Sequence, residues 1–165
     1  MDLNYFNKVR ILDGGMGQEL LSNGLISKGT LWSSTALLEE KYHKLVVDTH
    51  LSFINAGADV IITNNFSSRR QRLKQNNIEN KFNYLNKKAG ELAVRARDIS
   101  KKNILIAGGL PGQNDTYVPD ERQINFIKKD FYDQASIIKS YVDFFYLDVV
   151  SSAREVEVAL DVTEK

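Results

Sequence analysis

Short, largely apolar runs alternate with longer amphipathic stretches along the whole chain. Val9–Leu12, Val60–Thr63, Ile104–Ala107 and Phe144–Asp148 have the character of strands buried on both faces. Between them, apolar residues return every three or four positions, which predicts helices. The first such stretch carries Leu38, Tyr42, Leu45, Val46, Thr49 and Phe53 on one face, from a cap at Ser34 or Thr35 to a stop at Gly57. The second is the most regular, with Ile78, Phe82, Leu85, Ala89, Leu92, Ala96 and Ile99 separated by Lys, Asn, Glu and Arg. Its heptad-like spacing would suit a coiled coil, but among strands it points to packing on a sheet. A third helix is expected from a cap at Asp120 through Ile124, Ile127, Phe131, Ala135 and Ile138, and a last one opens at Ser152.

Four strand-then-helix units with no linker between them predict a parallel sheet with helices outside it. Asp13, Thr63, Gly108 and Asp148 then stand at the C-terminal ends of strands, the face on which a (β/α)8 barrel builds its sites. An open flavodoxin-like sheet has the same alternation, and length does not separate the two.

Composition narrows the partners. Lys and Arg number 22 against 21 Asp and Glu, a net charge of +1, which gives no electrostatic basis for binding nucleic acid or an anionic membrane. A small-molecule ligand is the remaining expectation. The N-terminus lacks the apolar core of a signal peptide, which argues for the cytoplasm. With no cysteine in the chain, disulfides and thiolate metal sites within it are excluded. His43 and His50 lie two turns apart on one predicted helix, too far for a helical metal pair, and read as ordinary surface or half-buried histidines. Arg69, Arg70 and Arg72 could hold a carboxylate or phosphate, but they read first as a solvated loop and helix start.

The chemistry-bearing stretch is Asp13-Gly14-Gly15-Met16-Gly17, where an aspartate leaves a strand directly into a glycine turn that lets backbone N–H groups approach a small anionic ligand. Alone it is equally a tight β-to-α turn. Leu31-Trp32-Ser33, Ala56-Gly57-Ala58-Asp59, Thr63-Asn64-Asn65-Phe66, the Gly108–Gly112 turn and Asp148-Val149 follow in order. Taken together, these stretches resemble the homocysteine S-methyltransferase family, from about Val9 to about Leu160. The resemblance covers the first half of that family's domain, so residues 1–165 are expected to form a single incomplete domain, the first four βα units of a (β/α)8 barrel. A whole barrel takes roughly 250 residues.

The resemblance implies methyl transfer to the sulfur of homocysteine, giving methionine. It assigns Asp13 and Asp148 to the amino group of homocysteine, sets Gly14 and Gly15 against the amino acid, and brings Thr63 and Asn65 to the site. Asn65 stands where the family carries a second hydroxyl. Asp148-Val149 stands where it commonly carries Glu-Thr, one methylene longer. Trp32 is expected to plug one end of the barrel. The family activates the homocysteine sulfur on a zinc ion held by three cysteines of its later strands, because a zinc-bound thiolate is a competent nucleophile near neutral pH. This chain has no cysteine, so activity of the isolated chain is not expected. Two readings remain: a methyltransferase half completed by a cysteine-bearing polypeptide, or a non-catalytic amino-acid-binding scaffold. Open sheet edges predict self-association or pairing with such a half. The methyl donor is not specified by these residues.

Overall fold

The computed structural model describes residues 3–163. Its helices are α1 (Met16–Ser22), α2 (Thr35–Leu38), α3 (His43–Ala56), α4 (Arg70–Gln75), α5 (Phe82–Ser100), α6 (Ile124–Ile138) and α7 (Ala153–Thr163). Three parallel strands, β1 (Val60–Ile62), β2 (Leu105–Pro111) and β3 (Phe144–Asp148), lie side by side in chain order. The register sets Val60 against Leu105, Ala107 against Phe144, and Pro111 against Asp148.

The first of the four expected strands is reduced to one bridge, Leu12 to Val60. What remains of it is held by Asp59. The Asp59 carboxylate accepts the Ile11 N–H at 2.9 Å, and the N–H groups of Asp59 and Val60 both donate to the Ile11 carbonyl. Val9 lies beyond this clamp and is 92% exposed, so nothing extends the ladder toward it. The bridge still decides the topology, because it places the first segment outside β1, at the sheet's edge. A flavodoxin-like sheet would set the first strand between the second and third. The order here is sequential instead, with α3, α5, α6 and α7 packed each on the next.

Two further expectations change. β2 does not end at Ala107 but runs through both glycines to Pro111, so Gly108 lies inside the strand, paired with Phe145. A Cβ at Gly108 would stand 3.0 Å from Ile138, and one at Gly109 would stand 3.1 Å from the Asn65 amide oxygen. Those two positions are small because neighbours from α6 and from the end of β1 press on the strand, not because the chain turns there. The first predicted helix is broken as well. Glu39 is extended (φ −106, ψ 114) between α2 and a 3-10 turn that leads into α3. Its carboxylate pairs with Lys28 and Lys41. The expected cap is also absent: the Ser34 hydroxyl bonds to that of Ser68 rather than to the helix. Gly57 closes α3 as expected, at φ +111.

Burial follows the predicted stripes. Phe82, Leu85, Ala89, Leu92 and Ala96 of α5 are buried with Val46 and Ile54 of α3, while Ile127, Phe131, Ala135 and Ile138 of α6 close on Val158, Ala159 and Val162 of α7. Ile99 and Ile124, at the ends of their stripes, are exposed. Asp120 does not cap α6; its buried carboxylate is clasped by the Arg122 guanidinium. His50 departs most from its reading as a surface or half-buried residue. It is 0% exposed on α3, neither ring nitrogen has a partner, and burial holds its pKa down at about 3. Among the described residues no helix is long and apolar enough to cross a membrane.

Candidate functional site

Asp13 leaves the sheet just beyond the Leu12 bridge. Its N–H donates to the Val60 carbonyl, and its carboxylate Oδ2 accepts the Ile62 N–H at 2.9 Å, so the side chain finishes the ladder that the short first segment cannot. Burial pushes its pKa up to about 7; the Ile62 N–H opposes that rise, and the charge of Asp148 adds to it. Asp148 ends β3 two strands away from β1. It is half-buried, and burial raises its pKa too. The two carboxylates therefore share one end of the sheet, and the charge of Asp148 is felt at Asp13. Among the described residues neither forms a salt bridge. Two carboxylates at one end of a sheet, both held above their ordinary range, are the kind of group that a positively charged ligand would stabilise.

Thr63 and Asn65 stand at the end of β1, but their polar atoms are already engaged. The Thr63 hydroxyl accepts the Gly109 N–H at 3.0 Å and donates to the Asn65 amide oxygen at 2.8 Å. Asn65 Nδ2 donates to the Gly109 carbonyl and to Asn86 Oδ1, which also accepts from Gln134 Nε2 at 2.9 Å. Gln113 joins by donating to Gln134. All five side chains are buried, so this is a closed amide network that fixes the strand ends. Asp13 and Asp148 stand at the same end of the sheet, while Thr63 and Asn65 are buried with their hydrogen bonds made to neighbouring strands and helices.

The glycine turn has local causes. A Cβ at Gly14 would stand 2.9 Å from the Phe53 ring, and one at Gly17 would stand 2.9 Å from Trp32. Trp32, expected as a barrel plug, lies on this turn with 38% of its surface exposed and φ +44. Of the turn glycines, Gly15 faces the most open space, its nearest neighbour being Gln18 at 3.9 Å. The arginines are not a solvated cluster. Arg70 is bound to Asp130, Asp133 and Glu79, and Arg72 to Asp115. Arg69 is 1% exposed, its guanidinium donating to the Phe66 carbonyl and the Thr116 hydroxyl.

The homocysteine S-methyltransferase family model matches residues 10–165, which takes in every element described above. The chain belongs to that family. Homocysteine S-methyltransferase 2 of Zea mays is 33% identical over 97 residues, 58% of this chain and 28% of that enzyme. A selenocysteine methyltransferase of Astragalus bisulcatus is 30% identical over 98 residues, again 28% of its length. The homocysteine methyltransferase MmuM of Escherichia coli, in its metallated form, superposes with a TM-score of 0.81 at 22% identity, covering 97% of this chain and 61% of that one. This likeness shows the shared α/β fold of parallel strands and outer helices. The chain thus spans less than two thirds of the length of each of these relatives.

The family's zinc does not fit the residues at hand. The chain has no cysteine, and among the described residues no group of three His, Cys, Asp or Glu side chains could hold a metal ion. His43 bonds to the Leu37 carbonyl and His50 is enclosed in the core, so neither histidine reaches the Asp13 and Asp148 end.

The family motifs did not point to every residue buried around these strand ends. Asn86 and Gln134 sit beside apolar stripes and carry no sequence signal of their own. Glu155, buried at the start of α7, did carry one: Ser152-x-x-Glu155 is a capping-box spacing.

Proposed function

We propose that this chain is the amino-acid-binding part of a homocysteine S-methyltransferase, and that Asp13 and Asp148 hold the α-ammonium of homocysteine between them. The observation that carries this is the pair itself: half-buried carboxylates at one end of the sheet, both with raised pKa and neither salt-bridged among the described residues. An ammonium offers each a charge-assisted hydrogen bond in partly excluded water. Asp13, at about 7, is partly protonated near neutral pH; the bound ammonium favours its ionised form and expels that proton. Gly15 leaves room beside the pair for the rest of the amino acid. The finer architecture belongs to the same proposal: the first four βα units of a (β/α)8 barrel, with the first strand kept as a bridge.

No step of methyl transfer is assigned to residues of this chain. Activation of the sulfur and placement of the methyl donor belong, on this reading, to polypeptide outside residues 1–165. Two edges are available to it, the Val9–Leu12 side, where Ile11 is 57% exposed, and β3. A second reading, an amino-acid-binding scaffold without catalysis, rests on the same pair of carboxylates and the absence of cysteine.

Calorimetric titration tests the shared premise. Homocysteine should bind with proton release near pH 6.5, read from the dependence of heat on buffer ionisation enthalpy. 4-Mercaptobutyrate, which lacks the amino group, should not bind. Equal binding of both compounds, or homocysteine binding unaffected by Asp13→Asn, would overturn the assignment. Adding a cysteine-bearing C-terminal half then separates the readings, since methionine formation supports the enzyme and its absence the scaffold.

A further inference from the structure

The strand that delivers Asp148 ends in an unusual way. Val149, immediately after it, has φ +53, a left-handed conformation that a β-branched residue adopts only when its surroundings hold it there. The group that holds this turn is Glu155. Its Oε2 accepts the Ser151 N–H at 3.2 Å and the Ser152 hydroxyl at 3.0 Å, while the Ser152 hydroxyl faces the Glu155 N–H at 3.3 Å. That much is a helix cap. A cap needs only one carboxylate oxygen, and such residues usually lie at the surface.

Glu155 is instead 0% exposed, and its second oxygen, Oε1, is buried with no partner. Capping does not explain that placement, because an unpaired buried carboxylate oxygen is unfavourable. Its neighbour does. A Cβ at Gly112 would stand 3.0 Å from Oε1 and 3.4 Å from the Val149 carbonyl oxygen, so the carboxylate is seated against the bare backbone at the end of β2. Pro111, the residue before Gly112, is the register partner of Asp148.

We infer that Glu155 is a positioning residue for Asp148, wedged between Gly112 and the turn after β3 so that the strained turn aims the Asp148 carboxylate toward Asp13. Gly112 is the seat of this wedge, and Ser151 and Ser152 are its hold on the turn. The inference rests on the reading of Asp148 as an ammonium ligand for its effect on binding, but not for its effect on Asp148 itself.

The test uses Glu155→Ala, Glu155→Gln and Gly112→Ala with two readouts: homocysteine affinity by calorimetry and the titration of the Asp148 carboxyl carbon by NMR. Glu155→Ala should raise the Kd tenfold or more and move the Asp148 midpoint down toward an ordinary carboxylate as the turn opens to water. Glu155→Gln keeps the acceptor and the shape of the wedge, and should preserve both. Should Glu155→Ala fail to fold, Gly112→Ala displaces the wedge with the cap bonds available and should give the same two changes. Unchanged affinity and midpoint in whichever of the two displaced variants folds would overturn the inference. If the unaltered chain binds no homocysteine, the ammonium reading fails, and the Asp148 titration alone still decides the role of Glu155.

Discussion

Replacing His50 by leucine tests how far an enclosed imidazole governs the stability of this fold. The imidazole is wholly buried on α3 and has no hydrogen-bond partner on either nitrogen, so the folded state keeps it neutral down to about pH 3, against 6.5 for the free side chain. Between those values the unfolded chain binds a proton that the folded chain refuses. Stability therefore falls as the pH drops below 6.5, at about 1.4 kcal/mol per pH unit, and about 2 kcal/mol is lost by pH 5. Leucine abolishes this titration and also removes two unpaired buried nitrogens. At pH 7.5, where the imidazole is neutral in both states, His50→Leu should match the parent or exceed it by about 1–3 kcal/mol. Urea unfolding of both proteins from pH 7.5 to 4.5 gives the difference curve, in which every other titrating group is common to the two. That difference should widen steadily below pH 6.5 in favour of leucine. A flat difference across the range would show that His50 protonates without unfolding the chain, and the argument from burial would be wrong.

Asp13 should show the opposite slope, since its folded pKa of about 7 lies above its unfolded value of 3.8. The native state binds the extra proton there, so this group makes the fold more stable as pH falls from 7 toward 4; Asn at this position, which retains an acceptor for the Ile62 N–H, should stabilise the protein above pH 7 and lose that advantage in acid. A stability gain for Asp13→Asn that does not shrink below pH 6 would count against the raised pKa. Asn86→Ala removes the hub that accepts from Asn65 and Gln134 and donates to the Ser68 and Phe82 carbonyls. It should destabilise by about 3 kcal/mol in chemical unfolding, and a loss of less than about 1 kcal/mol would mean the network is dispensable. The purified chain supplied with zinc, homocysteine and a sulfonium methyl donor should form no methionine; detectable turnover in that assay would refute the proposed division of labour. Sedimentation should reveal self-association through the unpaired sheet edges, and a stable monomer at high concentration would argue against it.

What the sequence made legible follows the strength of each periodic signal. The stripe from Phe82 to Ala96 predicted the face that α5 buries, and the run Phe144–Asp148 coincides with β3. The break at Glu39 left no trace in the spacing of Leu38, Tyr42 and Leu45, because a 3-10 turn keeps apolar residues nearly in phase with an α-helix. Gly108 and Gly109 read as a turn, since glycine marks turns locally, whereas here the tertiary neighbours Ile138 and Asn65 demand the missing Cβ. Asp13 and Asp148 were visible as polar ends of apolar strands. Thr63 and Asn65 had the same local signature, and only the positions of Gly109, Asn86 and Gln134 reveal that their hydrogen bonds are spent on one another.

If Asp13 binds an ammonium as proposed, its bond from the Ile62 amide ties ligand occupancy to the order of the backbone. β1 is three residues long, and its last amide is held by a carboxyl oxygen instead of a neighbouring carbonyl. When Asp13 gives up its proton to solvent, whether above pH 7 or because an arriving ammonium favours the carboxylate, the acceptor for Ile62 changes from a neutral acid to an anion and the bond strengthens. Hydrogen exchange at this single amide should then slow as the site is loaded, relative to the intrinsic rate at the same pH. A ligand sitting at the rim would thus tighten the shortest strand of the wall from within, and its arrival could be followed at one peptide group.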